Sequence, residues 1–124
     1  MSTIRSHKEL NVYQASFGAS VEIFNASVSF PKEEKYSLTD QIRRSSRSVS
    51  ANLAEAFRKR RYEKAFVAKL TDAEGEASET QVWLDFSLAH QYTTPEVHDQ
   101  LFEKYEIIIN QILKMIISPG NWSY

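Results

Sequence analysis

Hydrophobic residues recur at three- and four-residue steps over four long stretches of the chain, and the segments between them are polar. In the first stretch Leu10, Tyr13, Phe17, Val21, Phe24 and Val28 fall on one side of a helix, as a buried face requires. Pro31 ends it, because proline cannot continue a helix and also restricts Phe30 before it. The second stretch opens at "SLTD", where Ser37 can cap the helix and Asp40 can reach back to complete a capping box. Its apolar side is Leu38, Ile42, Val49, Leu53 and Ala56.

The third stretch runs from about Tyr62 to Tyr92 on a seam of Phe66, Leu70, Ala73, Ala77, Leu84 and Leu88. A kink or break is expected just before it, near "RKRRYE". The fourth begins at "TTPE", with Thr94 as cap, Pro95 at the first helical position and Glu96 at the positive helix end. Val97, Leu101, Tyr105, Ile108, Ile112 and Ile116 follow, until "SPGNWSY" stops the helix.

Four amphipathic helices with short connections and no strand pattern predict an all-α, up-down-up-down antiparallel four-helix bundle. The 124 residues make one domain over 1–124, with a short N-terminal arm at about 1–8 and a loose C-terminal tail at about 118–124. Neither an internal repeat nor a linker divides it.

Composition agrees with this reading. Three glycines and three prolines are too few for a turn-rich β fold. The absence of cysteine excludes disulfides, thiolate zinc sites and cysteine nucleophiles. The N-terminus lacks the apolar core of a secretory signal, and the apolar run "IIINQILKMII" is broken by Asn110, Gln111 and Lys114. A soluble cytoplasmic protein is expected, with no membrane partner.

Charge changes the picture. The chain carries a formal −1, yet residues 41–69 hold nine of the fifteen Lys and Arg with only Glu55 and Glu63 against them, a local +7 that leaves −8 elsewhere. At the helical pitch Arg43, Arg47, Arg58 and Arg61 fall within roughly 60° of one another, nearly opposite the apolar side, provided the helix stays continuous that far. Arg44 lies beside them, and Ser50, Ala51 and Ala54 lie between. Small residues admit a second backbone or a flat ligand, and guanidinium forks suit phosphate or carboxylate.

Three uses of this face follow. It could be solvated only. It could bind RNA or DNA with affinity that falls steeply with salt, although the sequence pI of about 6.3 is below that of a dedicated binder. It could also hold subunits together, pairing with the acidic face Asp72, Glu76 and Glu79 of another copy in a heterologous contact. Asn52 could fix helix register as a buried amide or could face water. Glu55 is placed to pair with Arg58 or Lys59.

Catalytic chemistry finds no support. A di-iron bundle needs Glu-x-x-His pairs, and the residues three before His7, His90 and His98 are Ile4, Ser87 and Pro95. Asp72, Glu76 and Glu79 share a helical face next to Trp83, but one helix face seldom supplies the six or more oxygens calcium takes; a solvated or arginine-paired face is expected there. Gly18, Gly75 and Gly120 are too scattered for a phosphate loop. Ser45, Ser46, Ser48 and Ser50 sit mid-helix with no histidine nearby to act as base. No catalytic residue, metal ligand or cofactor is assigned, and the chain is not expected to be an enzyme.

The segment "FPKEEKYSLTDQIRRSSRSVSANLAEAF", Phe30 to Phe57, resembles the signature of four-helix-bundle proteins encoded in intervening sequences of bacterial 23S ribosomal RNA genes. The residues that carry the likeness are Phe30-Pro31, Glu34, Tyr36, Leu38, Gln41-Ile42-Arg43-Arg44, Ser48, Asn52, Ala54 and Glu55. It extends more loosely through "LNVYQASF" and the third stretch. The resemblance implies a homopentameric barrel, related to accessory proteins of diversity-generating retroelements that associate with a reverse transcriptase and nucleic acid through basic surface. It makes Arg43, Arg44 and Arg47 candidate basic contacts, and Asn52 and Glu55 structural. The chain departs from the pattern at Ser50, where the family often has proline, and at Ala56, where it often has glycine; alanine there would let the second helix run on into "RKRRYE".

The expected function is therefore that of a non-enzymatic, oligomeric, nucleic-acid-associated accessory protein using Arg43, Arg44, Arg47, Arg58 and Arg61. The alternative is a protein–protein scaffold or adaptor whose arginine helix is the subunit interface.

Overall fold

The structure, a computed structural model, describes residues 4–122 and contains four long helices, with no strand among the described residues. Helix α1 spans Asn11–Ser27, α2 Leu38–Arg58, α3 Glu63–Ala89 and α4 Pro95–Ile117, with short 3-10 turns at His7–Glu9, Lys32–Glu34 and Pro119–Trp122. Each helix packs on its neighbours in the chain, and α1 closes the square against α4. Helices α1 and α3 therefore stand diagonal to each other, as do α2 and α4. This is the expected four-helix bundle.

The helix ends show how local chemistry sets the boundaries. Thr94 caps α4 as expected, its hydroxyl accepting from the Val97 amide at 3.2 Å, with Pro95 behind it. Ser37 stands at the N-cap of α2 but does not cap it. Its hydroxyl donates instead to Glu34 Oε1 at 2.6 Å, and that same oxygen accepts the Leu38 amide at 3.3 Å. The preceding turn thus supplies the cap, because its carboxylate is a stronger acceptor than a hydroxyl. Glu34 Oε2 takes the Tyr92 hydroxyl at 2.9 Å, tying the start of α2 to the end of α3. The bonds from Ser37 and then Tyr92 hold the Glu34 carboxyl below its usual range.

Helix α2 stops at Arg58 and does not run on, even with Ala56 in place of a glycine. Lys59 to Tyr62 form the turn, and Arg60 folds beneath it at 7% exposure. The Arg60 guanidinium lies 3.7 Å from the Phe57 ring centroid, and its Nε donates to the Phe57 carbonyl at 2.9 Å. An arginine anchored on an aromatic ring holds the break in which neither proline nor glycine appears.

Helix α3 ends at Ala89, short of the Tyr92 expected from the seam. Gln91 adopts φ 61°, its amide bonds the Leu88 carbonyl at 2.9 Å, and the Tyr92 amide bonds the Ser87 carbonyl at 2.8 Å. These are the paired bonds of a left-handed helix stop.

The core is built from the inner faces of all four helices, where Ala19, Ile23, Val49, Leu53, Phe57, Phe66, Leu70, Tyr105, Ile108 and Ile112 are at most 1% exposed. On α4 only Val97, at its start, leaves the expected stripe for the surface.

Helix α1 overturns most of its expectation, although Leu10 is buried and Tyr13 packs against the core as expected. Phe17, Val21, Phe24 and Val28 are between 40% and 65% exposed, and Val12, Ser16, Ala19, Ile23 and Ser27 face inward. Small side chains let α1 lie close on α2, where hydroxyl pairs meet: Ser16 with Ser50 at 2.9 Å and Ser20 with Ser46 at 3.1 Å. Ser45 and Thr80 make the same contact between α2 and α3 at 2.8 Å.

Of the expected arm and tail, residues 1–3 and 123–124 lie outside the described residues. The described part of the tail is folded back: Trp122 packs against the core, and its carbonyl accepts from Arg60 Nη1 at 3.5 Å. Burial of a large indole offsets the chain entropy lost in a few residues. Ile4 likewise packs against the core, next to a turn over His7–Glu9 whose Ser6 and Glu9 cap each other.

Candidate nucleic-acid or subunit interface

The arginines separate into two groups. Arg43 and Arg44 are engaged within the chain. Arg43 Nε donates to Ser27 Oγ at 2.8 Å, and its guanidinium lies 4.4 Å from the Phe24 ring centroid. Arg44 spans to α3, with Nη1 3.0 Å from Glu76 Oε2 and Nη2 2.5 Å from Glu79 Oε2. Trp83 Nε1 donates to that same Glu79 oxygen at 3.1 Å. Asp72 lies 3.8 Å from Lys69. The acidic face offered by the sequence to a neighbouring copy is thus largely taken up by this chain's own α2, because α2 and α3 are adjacent and in register.

Arg47, Arg58 and Arg61 are exposed, and among the described residues none has a carboxylate within ion-pair distance. Each rests near an aromatic ring instead: Arg47 5.9 Å from Phe24, Arg58 5.6 Å from Phe57 and Arg61 5.5 Å from Tyr62. Arg61 lies in the turn after α2, so the helical register that would align it with Arg43 ends before reaching it.

The two motif residues are structural ties. Glu55 pairs with Lys69 of α3 at 2.9 Å, not with Arg58 or Lys59. The half-buried Asn52 donates to the Ser48 carbonyl at 2.9 Å and accepts from Lys69 at 3.4 Å. Both therefore help set α2 against α3.

The largest feature of this side of the molecule is a groove of about 500 Å³ between α1 and α2. Phe17, Val21 and Phe24 form one wall, Ser50, Ala51 and Ala54 line the other, and Arg47 stands at the rim. Neither carboxylate nor histidine lines it, and Tyr13, Ser20 and Ser50 supply its hydroxyls. The groove can exclude water from an apolar partner and offer a guanidinium at its edge.

His98 is held between two carboxylates, Nε2 2.8 Å from Asp85 Oδ1 of α3 and Nδ1 2.8 Å from Asp99 Oδ1 of its own helix. Burial alone would lower its pKa, but the two aspartates together outweigh burial and raise it. Among the described residues no group of three or more His, Asp or Glu is disposed to hold a metal ion, and no helix is long and apolar enough to cross a membrane.

Sequence reasoning missed the exposed aromatic wall on α1 and the hydroxyl pairs beneath it. Serines four apart on both helices, Ser16 and Ser20 on α1 against Ser46 and Ser50 on α2, were the available signal.

Comparison with known proteins agrees with this architecture. No curated protein matches the chain. A solved structure of a protein of unknown function from the S23 ribosomal protein family of Bacteroides thetaiotaomicron VPI-5482 superposes with a TM-score of 0.77 at 29% sequence identity, covering 85% of this chain and 97% of that one. Residues 8–117 match the family model described as 23S rRNA-intervening sequence protein. With the bundle, the Phe-Pro turn and the Asn52 and Glu55 ties all in place across that span, the chain belongs to the 23S rRNA-intervening sequence protein family.

Proposed function

We propose that this chain is a non-enzymatic association module that assembles with copies of itself through the α1/α2 groove. The observation that carries the reading is the aromatic and aliphatic stripe Phe17, Val21, Phe24 and Val28, left in solvent beside Ser50, Ala51 and Ala54. A contiguous apolar patch with a cationic rim is the surface expected of an interface core. Arg43 and Arg47 flank it and orient the partner. The family resemblance puts the number of copies at five. Light scattering on the purified chain tests this reading: wild type is expected to be an oligomer, and Arg47→Glu is expected to weaken it. A wild-type monomer at every concentration would sink it.

A second reading rests on a separate observation, the lack of any carboxylate beside Arg47, Arg58 and Arg61. Arg58 and Arg61, which lie away from the groove, give the assembled protein a surface for RNA or DNA phosphates. A titration of labelled structured RNA and of a DNA duplex from low to physiological salt tests it. Binding with a slope of several phosphate contacts supports it, and no binding at low salt removes it.

A further inference from the structure

Resting on the reading that copies associate through the α1/α2 groove, the question is what fills that groove. We infer that the outer face of α3 does: the groove of one copy receives α3 of the next, head to tail. Thr71, Gly75, Ser78, Val82 and Phe86 follow one another at three- and four-residue steps on the side of α3 turned from the core, and all are exposed. Val82 and Phe86 are each 47% exposed. No charge interrupts this face over four turns, whereas a helix side meant for water carries charged residues. Together with the inner seam, α3 is therefore apolar or small on two opposite sides, as a helix buried on both would be.

Gly75 supports the same reading. Glycine destabilises a helix interior relative to alanine, and a side chain placed at Gly75 would meet nothing of this chain within 4 Å. Its bareness answers no need inside the monomer. It would let another helix approach closely.

Charge decides between possible partners. Two grooves facing each other across a two-fold axis would set Arg47 and Arg43 against their own copies, with no lining carboxylate to relieve them. The outer face of α3 is flanked by Asp72 and Asp85, whose side chains are 61% and 62% exposed although Lys69 and His98 each engage one oxygen. Basic rim then meets acidic flank. Another apolar candidate, around Ile107 in the furrow between α1 and α4, is already spanned by the Lys104–Glu22 pair of this chain. Because α3 stands diagonal to α1, its outer face is oblique to the α1/α2 groove and not back to back with it. Each added copy is therefore turned relative to the last, and the series can close into a ring.

The test uses two surface variants, Val21→Glu to spoil the groove and Val82→Glu to spoil α3, with circular dichroism confirming that both remain helical. Each variant alone is expected to be monomeric by light scattering. Mixed in equal amounts, they retain one intact groove and one intact α3 face between them, and are expected to form two-chain particles and nothing larger. A Val82→Glu protein that assembles like wild type would overturn the pairing while leaving the groove reading intact, provided Val21→Glu is monomeric. A mixture that stays monomeric would also overturn it. A wild-type monomer would remove the groove reading itself.

Discussion

Helices α1 and α4 carry nearly the same apolar rhythm and meet opposite fates. Leu101, Tyr105, Ile108 and Ile112 of α4 enter the core; Phe17, Val21 and Phe24 of α1, with Val28 at its end, stay in solvent. The difference lies on their other sides. Away from its stripe α4 carries Glu103, Lys104 and Asn110, all exposed, around Ile107, so no second continuous apolar face competes with the stripe. Helix α1 has a second candidate in Val12, Ser16, Ala19, Ile23 and Ser27, narrow enough to sit against α2 and able to pair its hydroxyls there. A helix with two buriable faces can give one to its own chain and keep the other for a partner. Periodicity identifies such a helix without saying which face goes where.

That contrast can be broken most forcefully in α4. Ile108→Ala removes a side chain that is 1% exposed and should cost about 2–5 kcal/mol in urea unfolding. On the inner face of α1, Ser16→Ala leaves the buried Ser50 hydroxyl without its partner and should cost about 1–3 kcal/mol by the same measurement.

A smaller effect is expected at the start of α4. His98 has a raised pKa, so its contribution to stability is complete below its ordinary value of about 6.5 and is lost as pH rises through the higher folded value. Unfolding curves of His98→Gln should lack that fall as pH rises above about 6.5; an unchanged slope would mean that the two aspartates do not act through a charged imidazole. The least effect on the folded monomer belongs to the outer stripe of α1. Val21→Ser, measured in dilute solution, should shift unfolding by less than about 0.5 kcal/mol. A loss as large as that of Ile108→Ala would mean that Val21 belongs to the intrachain core.

Much of the fold was legible because helix signals are local. The apolar side of α2, most of the α3 seam, and the Thr94-Pro95 start of α4 each depend on residues a few positions apart. Where the reading failed, the deciding partner was distant in sequence. Ser37 lost its capping role to Glu34, which Tyr92 also holds from 58 residues away. The end of α2 depended on Arg60 finding the Phe57 ring and the Trp122 carbonyl. The arginine stripe was legible as a stripe, but not as two groups, since only the packing of α2 on α3 turned Arg44 toward Glu76 and Glu79.

The sequence by itself therefore determined the number of helices, their order, the family motif and the placement of positive charge on α2, all of which follow from short-range spacing. Tertiary structure alone decided which face of α1 is inside, which arginines are neutralised and where a groove opens. Those outcomes depend on which surfaces come within a few ångströms once four helices share one core, and contact of that kind has no fixed sequence separation.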